Sequence, residues 1–322
     1  MRTRRLGSTE LHLTTIGLGT WAIGGPWEYG WGAQDDADSI STIHRALDLG
    51  INWIDTAPAY GLGHSEEIVG EAIKGRRHEI SLATKCGLVW DGGNWNVTNR
   101  LTGDSVRAEC EASLKRLGVD VIDLYQIHWP VPDEALEDAW STMASLVQAG
   151  KVRHIGASNF SLDQLRRVQS IHPVASLQPP YSMLERTVER ELLDCCAAND
   201  IGVVAYSPMQ AGMLTGKYTP ERVAQLAQDD WRRRSRHFKE PELAANLNLV
   251  EDLRAVAERH GQTLAQLSIA WVLRRSEVTA AIVGARQADQ IEDTAPAADW
   301  ELSAADIAEI DKLLTKREHA LV

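Results

Sequence analysis

Several things are scarce in this chain of 322 residues, and each scarcity argues against something. Cysteine occurs four times, as Cys86, Cys110, Cys195 and Cys196, with no C-x-x-C pair. That argues against a disulfide scaffold and fits free thiols in the reducing cytoplasm, which is the expected location. Basic charge is in deficit: 33 Lys and Arg stand against 45 Asp and Glu, a formal net charge of −12. The basic footprint that nucleic acid requires is missing. No stretch approaches the roughly 18 apolar residues of a membrane span. The opening Met1-Arg-Thr-Arg-Arg-Leu-Gly7 has no apolar run behind it, so no signal peptide is expected. The ten histidines show neither H-x-H nor H-E-x-x-H spacing, so no metal is expected. The G-x-S-x-G elbow of a serine hydrolase is absent as well.

What is present is an alternation. Short apolar runs at Ile16–Gly19, Asn52–Asp55, Ser81–Lys85, Leu124–His128, Ile155–Ser158, Ala175–Gln178, Val203–Tyr206 and Ala280–Val283 read as eight strands. Most are apolar at consecutive positions, as parallel strands covered on both faces must be. Between them lie helical stripes. Ile40, Ile43 and Leu47 stop at Gly50. Val106, Cys110, Leu114 and Leu117 stop at Gly118. Leu136, Trp140, Met143 and Val147 stop before Gly150. Ser161-x-x-Gln164 and Ser303-x-x-Asp306 read as capping boxes that open two later helices. Eight β-then-α units predict an α/β fold, a closed (β/α)8 TIM barrel forming one domain over residues 1–322; an open doubly wound sheet is the alternative. Residues 4–13 predict a β-hairpin that plugs the barrel bottom. Residues 207–240 carry few helical stripes and predict a long lid-like loop on the C-terminal face.

Gly17-Leu-Gly-Thr-Trp-Ala22 matches the dinucleotide pattern G-x-G-x-x-A. That pattern must open a helix at once, and the Ile-Gly-Gly-Pro that follows cannot. These glycines are expected instead to shape the first loop at the barrel mouth.

Four polar residues fall at or just past the ends of three successive strands: Asp55 and Tyr60 after the second, Lys85 after the third, His128 after the fourth. In a barrel those ends converge on the active face. A carbonyl that accepts hydride needs a proton, which a tyrosine can give. An adjacent Lys85 ammonium is expected to lower the phenol's pKa, Asp55 to hold Lys85 charged and in place, and His128 to orient the carbonyl.

With Asp55-Thr-Ala-x-x-Tyr-Gly61, Ala83-Thr-Lys85, Asp123-Leu-Tyr-Gln-Ile-His128, Gly156-Ala-Ser-Asn-Phe160 and Gly284-Ala-Arg286, nearly the whole chain resembles the aldo-keto reductase superfamily. Gly19-Thr-Trp-Ala-Ile-Gly-Gly25, His-Trp-Pro130 and Gln178-Pro-Pro-Tyr181 are most similar to bacterial enzymes of the general-stress and inositol-operon type. The resemblance implies an NADP(H)-dependent oxidoreductase that reduces aldehydes and ketones, or oxidises the matching alcohols, with Tyr60 as general acid/base. It implies a catalytic set of Asp55, Tyr60, Lys85 and His128. For the coenzyme it implies Thr20, Trp21 and Asp55; Ser158, Asn159 and Gln178 at the carboxamide; and Tyr206 against the nicotinamide ring. Ser207, Pro208, Met209, Gln210, Ala211, Gly212, Leu214 and Lys217 correspond to the segment around the pyrophosphate. Gly284, Ala285, Arg286 and Gln290 correspond to the adenosine end, with Arg286 on the 2′-phosphate and Arg232 reaching over from the lid. Thr294 stands where the family often has Asn, which puts that adenine contact in doubt. A monomer or weak homo-oligomer is expected, with a small carbonyl or alcohol as the only partner and neither nucleic acid nor membrane. A coenzyme-binding sensor subunit, like the β subunits of voltage-gated potassium channels, and an inactive binding module are the alternatives.

The chain has eleven tryptophans against two phenylalanines. Trp21, Trp27, Trp31, Trp90, Trp95 and Trp129 are expected to fall on loops at the active face; Trp21, Trp90 and Trp129 are expected to wall the substrate pocket, while for Trp27, Trp31 and Trp95 a pocket wall and a pin that holds a loop on the barrel are both open. Cys86 follows Lys85, and strand alternation turns its side chain away from the site.

Overall fold

The computed structural model describes residues 1–90 and 96–321; Trp95 falls outside them. The strands are β1 (Thr3–Arg5), β2 (His12–Thr14), β3 (Ile16–Gly19), β4 (Trp53–Asp55), β5 (Ser81–Cys86), β6 (Leu88–Trp90), β7 (Val97–Asn99), β8 (Ile122–Ile127), β9 (Val152–Ser158), β10 (Ser176–Gln178), β11 (Gly202–Ala205) and β12 (Val278–Gly284). The helices are α1 (Asp36–Asp48), α2 (His64–Ala72), α3 (Gly103–Leu117), α4 (Leu136–Gln148), α5 (Leu162–Gln169), α6 (Leu192–Ala198), α7 (Pro220–Ala224), α8 (Glu242–Arg259), α9 (Leu264–Leu273), α10 (Ala288–Thr294) and α11 (Ala304–His319). Eight strands close into one barrel in the order β3, β4, β5, β8, β9, β10, β11, β12, and every pairing in it is parallel. This is the (β/α)8 architecture. No described helix is long and apolar enough to cross a membrane.

The helix boundaries follow local chemistry. Ser161, Thr263 and Ser303 each complete a capping box with the residue three positions on, which satisfies first-turn N–H groups that have no intrahelical acceptor. α3 ends at Gly118 in the left-handed conformation.

Alternation along the strands divides the barrel in two. Outward-facing residues such as Cys86, Tyr125 and Val203 join the large core between strands and helices. Trp53, Ala83, Leu124, Val204 and Ala280 point inward, and Leu6, Leu11 and Leu13 of the β1–β2 hairpin close the barrel beneath them. The expected plug is therefore present. Gly17 belongs to that floor: a Cβ there would lie 2.0 Å from the Trp53 indole. Gly17 and Gly19 sit within β3 rather than in the loop after it, so their role is to admit Trp53 and Ile282 into the interior. The residues after Gly19 form a short 3-10 turn, Trp21–Ile23, rather than the helix a dinucleotide fingerprint requires.

Residues 207–240 are mostly irregular, interrupted by the five-residue α7 and short 3-10 turns. They lie over the barrel mouth, as expected of a lid.

Candidate active site

One step above the apolar floor the same inward-facing positions become polar. Asp55, Lys85, Gln126 and Gln178 follow Trp53, Ala83, Leu124 and Ser176 on their strands, and all four are buried. The ends of adjacent strands thus make a ring. Lys85, with no solvent exposure, donates from Nζ to Asp55 Oδ2 at 2.6 Å, to the Thr56 carbonyl at 2.9 Å and to the Tyr60 phenolic oxygen at 3.2 Å. The other carboxylate oxygen, Asp55 Oδ1, accepts from Gln178 Nε2 at 2.8 Å and Gln126 Nε2 at 3.4 Å. A buried ion pair is stable only when its remaining lone pairs and protons find partners, and here they do.

The electrostatics follow from that packing. Burial opposes the charged form of Lys85, but Asp55 and then Tyr60 outweigh it, and the pKa rises above the ordinary lysine value. The ammonium stays charged. For Tyr60 the balance differs from the sequence expectation. Burial raises its pKa, Lys85 pulls it back, Asp55 adds to the rise, and the net direction is upward. The expected lowering by Lys85 is present as a contribution but is outweighed by the cost of burying a phenolate. The phenol is therefore protonated at neutral pH. Its oxygen accepts from Lys85, which leaves its own proton free to be donated toward the mouth.

His128 stands beside it, ring centroids 5.8 Å apart and nearly perpendicular. Burial, then the Lys85 charge, push the imidazole well below its usual range, so it is neutral. Its Nδ1 is buried without a partner among the described residues. An unpaired lone pair there costs less than an unpaired N–H, which favours the tautomer with its proton on Nε2.

The ring opens into a cavity of about 1440 Å³. Ser158, Asn159, Gln178 and Tyr206 line it next to the ring; the Tyr206 hydroxyl donates to Asn159 Oδ1 at 2.9 Å, and Asn159 Nδ2 donates to the His128 carbonyl at 3.0 Å. Ser207, Pro208, Met209, Gln210, Ala211, Gly212 and Lys217 continue the wall. Ser207, Gln210 and Ala211 have φ of 55°, 46° and 53°. Left-handed backbone at residues other than glycine is strained and concentrates at ligand clamps. Gly284, Ala285, Arg286 and Gln290 line the far end, with Arg232 from the lid.

Some expected residues are not in the lining. Thr20 is fully buried, its N–H and hydroxyl both donating to the Asp55 carbonyl, so it braces the ring from behind. Leu214 packs into the hydrophobic core, because the 3-10 turn Met213–Thr215 carries it inward. Trp90 is not in a loop: it lies in the antiparallel β6–β7 hairpin, its ring 5.8 Å from the Arg116 guanidinium carbon, and Leu88, Val97 and Asn99 of that hairpin face the cavity instead. Thr294 lines the far end, but its hydroxyl is spent on the Gln290 carbonyl one turn back.

Trp21 and Trp129 line the cavity, Trp129 being 43% exposed. Trp27 and Trp31, for which sequence leaves wall and pin both open, line it too; the Trp27 ring is 6.2 Å from that of Tyr60. Sequence alone assigns Trp231 no role. It packs against Trp21 at 4.9 Å and Trp31 at 5.8 Å, which joins the lid to the loop after β3. Gln126 was missed as well, although its spacing of two from His128 on a strand was a usable signal.

The cavity suits a long, multiply charged ligand with a flat end. Arg232 and Arg286 both line it, and Arg286 is pushed below the ordinary arginine value by burial and then by Arg232. Arg232 is already paired with Asp230, its Nε donating to Oδ1 at 2.9 Å, and donates to the Tyr218 hydroxyl at 2.6 Å, whereas Arg286 is held by neutral oxygens and keeps a charge that fits a phosphate group. His128 lines the same cavity and, with its proton on Nε2, has a donor to offer a ligand at the ring.

The profile described as the Aldo/keto reductase family matches residues 15–315. The chain is 40% identical over 316 residues to the aldo-keto reductase YhdN of Bacillus subtilis (strain 168), a match that spans 96% of this chain and 92% of that one. It is 36% identical over 317 residues to the NADH-specific methylglyoxal reductase of Escherichia coli (strain K12), covering 94% of each. The solved glycerol dehydrogenase AKR11B4 from Gluconobacter oxydans superposes with a TM-score of 0.90 at 37% identity, over 98% of this chain and 95% of that one.

Proposed function

The chain belongs to the aldo/keto reductase family, and from that premise we propose that it is an NADP(H)-dependent oxidoreductase that reduces aldehydes or ketones, or oxidises the matching alcohols, with Tyr60 as general acid/base. The observation that carries the reading is the buried Lys85 ammonium, held by Asp55 and donating to the phenolic oxygen of Tyr60 at the mouth of a long cavity.

A bound dihydronicotinamide supplies the hydride to the carbonyl carbon. The chain's residues do the rest. Tyr60 gives its proton to the carbonyl oxygen as negative charge develops there, and Lys85 steadies the phenolate that results. The neutral His128 donates a hydrogen bond to the same oxygen and fixes its direction. Asp55 keeps Lys85 in place. In the reverse direction the phenolate takes the proton from an alcohol. Ser158, Asn159 and Gln178 present donors and acceptors suited to a carboxamide, and Tyr206 presents an aromatic face. The aromatic walls Trp21, Trp27 and Trp129 exclude water from the reacting carbonyl.

The preference for NADP(H) rests on Arg286, whose guanidinium is held by neutral oxygens alone among the described residues. A second reading, NAD(H), is favoured by Asp289 and Asp293, whose carboxylates line the same end and suit ribose hydroxyls, and by the E. coli relative, whose name calls it NADH-specific. Kinetics with both coenzymes and a panel of aldehydes and sugars, followed by dihydronicotinamide absorbance, test the proposal. Turnover is expected with NADPH. The Arg286→Ala variant is expected to lose roughly ten- to a hundredfold in NADPH use, as for a charged hydrogen bond of about 1.5–3 kcal/mol, and much less in NADH use. Equal losses remove Arg286 from the phosphate, and coenzyme binding without turnover of any carbonyl favours a sensor.

A further inference from the structure

Arg286 does not stand free at the adenosine end. Its Nε donates to Gln34 Oε1 at 2.7 Å, one terminal nitrogen donates to the Trp31 carbonyl at 3.1 Å, and the other donates to the Ala33 carbonyl. Gln34 answers from its amide nitrogen to the Arg286 carbonyl at 2.9 Å, so the two residues are joined at both ends across 252 positions of sequence. On the other side Gln290 Oε1 accepts from the Arg286 backbone N–H at 2.9 Å. A guanidinium has five N–H donors in a rigid plane. Three are taken by neutral oxygens of the segment Trp31–Gln34, and one is left on each terminal nitrogen. These neutral acceptors leave the positive charge of Arg286 undiminished. The result is an oriented cation with one donor unspent on each terminal nitrogen, free to meet phosphate oxygens.

We propose that Gln34 is a positioning residue for coenzyme selection: with the Trp31 and Ala33 carbonyls it fixes the plane of Arg286 so that the two remaining N–H groups meet the 2′-phosphate of NADP(H). Gln34 itself does not line the cavity, so it acts through Arg286. The inference rests on the reading of Arg286 given above and adds what makes that arginine selective. An arginine of four rotatable bonds loses much freedom when it is fixed on a ligand; here that ordering is done in advance by the fold. A carboxylate at position 34 would keep the bond to Nε but cancel the charge the phosphate needs.

The test is coenzyme binding without substrate, read by quenching of tryptophan fluorescence, for the full-length protein and its Gln34→Ala, Gln34→Glu and Arg286→Ala variants. The ratio of the NADPH to the NADH dissociation constant is expected to rise about five- to tenfold in Gln34→Ala and further in Gln34→Glu. NADH binding serves as the check on folding. In the Arg286→Ala background, Gln34→Ala is expected to change the ratio no further, since the two act as one unit. Equal changes for both coenzymes in the Gln34 variants, or an undiminished Gln34→Ala effect without Arg286, overturn the proposal while leaving Arg286 in its role. If Arg286→Ala itself fails to alter the ratio, the phosphate assignment falls and takes this inference with it.

Discussion

The floor of the site and its roof are built on different principles. The floor is a ring of side chains at the ends of hydrogen-bonded strands, with Lys85 and Asp55 buried and each polar atom of the pair answered by Thr56, Tyr60, Gln126 or Gln178. The roof is two irregular segments, residues 21–34 and 207–240, that meet through the rings of Trp21, Trp31 and Trp231 and through Arg232 over Trp31 at 4.7 Å. Charges in the floor are paired out of reach of water, so a missing partner leaves an uncompensated buried ion. Contacts in the roof are aromatic and partly exposed, so a missing partner loosens a closure that the barrel survives. The floor carries chemistry and stability together; the roof carries access.

The sharpest way to break this contrast is Lys85→Met. Removing the ammonium strands the Asp55 carboxylate, and unfolding by urea is expected to show a loss of about 3–5 kcal/mol along with loss of turnover. A stable, merely inactive variant would mean that the floor is not the folding unit described. Next is Trp231→Ala. Aromatic pairs contribute about 0.5–1.5 kcal/mol each, so coenzyme is expected to bind roughly three- to tenfold more weakly, with global stability changed by about 1 kcal/mol at most. Collapse of stability would place the roof in the core. The pH profile comes third. Reduction consumes a proton from Tyr60, whose pKa lies above the ordinary 10.0 because burial outweighs Lys85, and His128, pushed below 6.5, has already lost its charge at neutral pH. The rate of reduction is therefore expected to stay level across neutral pH and to fall only as alkali removes the phenolic proton. An inflection near neutrality assigned to His128 would contradict the neutral imidazole. The smallest effect is at Cys86, whose thiol faces the outer core and is pushed well above its usual pKa by burial and then Glu109; turnover is expected to be unchanged after treatment with a thiol-blocking reagent.

The same contrast explains what could be read in advance. Parallel strands are apolar along their length, so a polar residue at a strand end is conspicuous, and Asp55, Lys85 and His128 stood out for that reason. The period of two placed Cys86 outside and should have placed Gln126 inside. Capping boxes at Ser161 and Ser303 were readable because they depend on residues three apart. The roof has no such period. Whether Trp27 faces Tyr60, whether Trp90 turns toward Arg116, and whether Leu214 points in or out depend on the path of irregular backbone, which no spacing rule encodes. The acidity of Tyr60 is not legible in the sequence for a related reason: the identity of its neighbour is visible, but its burial is a property of the closed barrel alone.

The central claim is that the Tyr60 phenol is the proton donor. Comparing Tyr60→Phe with the unaltered protein, kcat/KM for an aldehyde is expected to fall by about 10²–10⁴ while NADPH still binds, because the ring is kept and only the donor is lost. Turnover that survives the substitution undiminished would contradict the account.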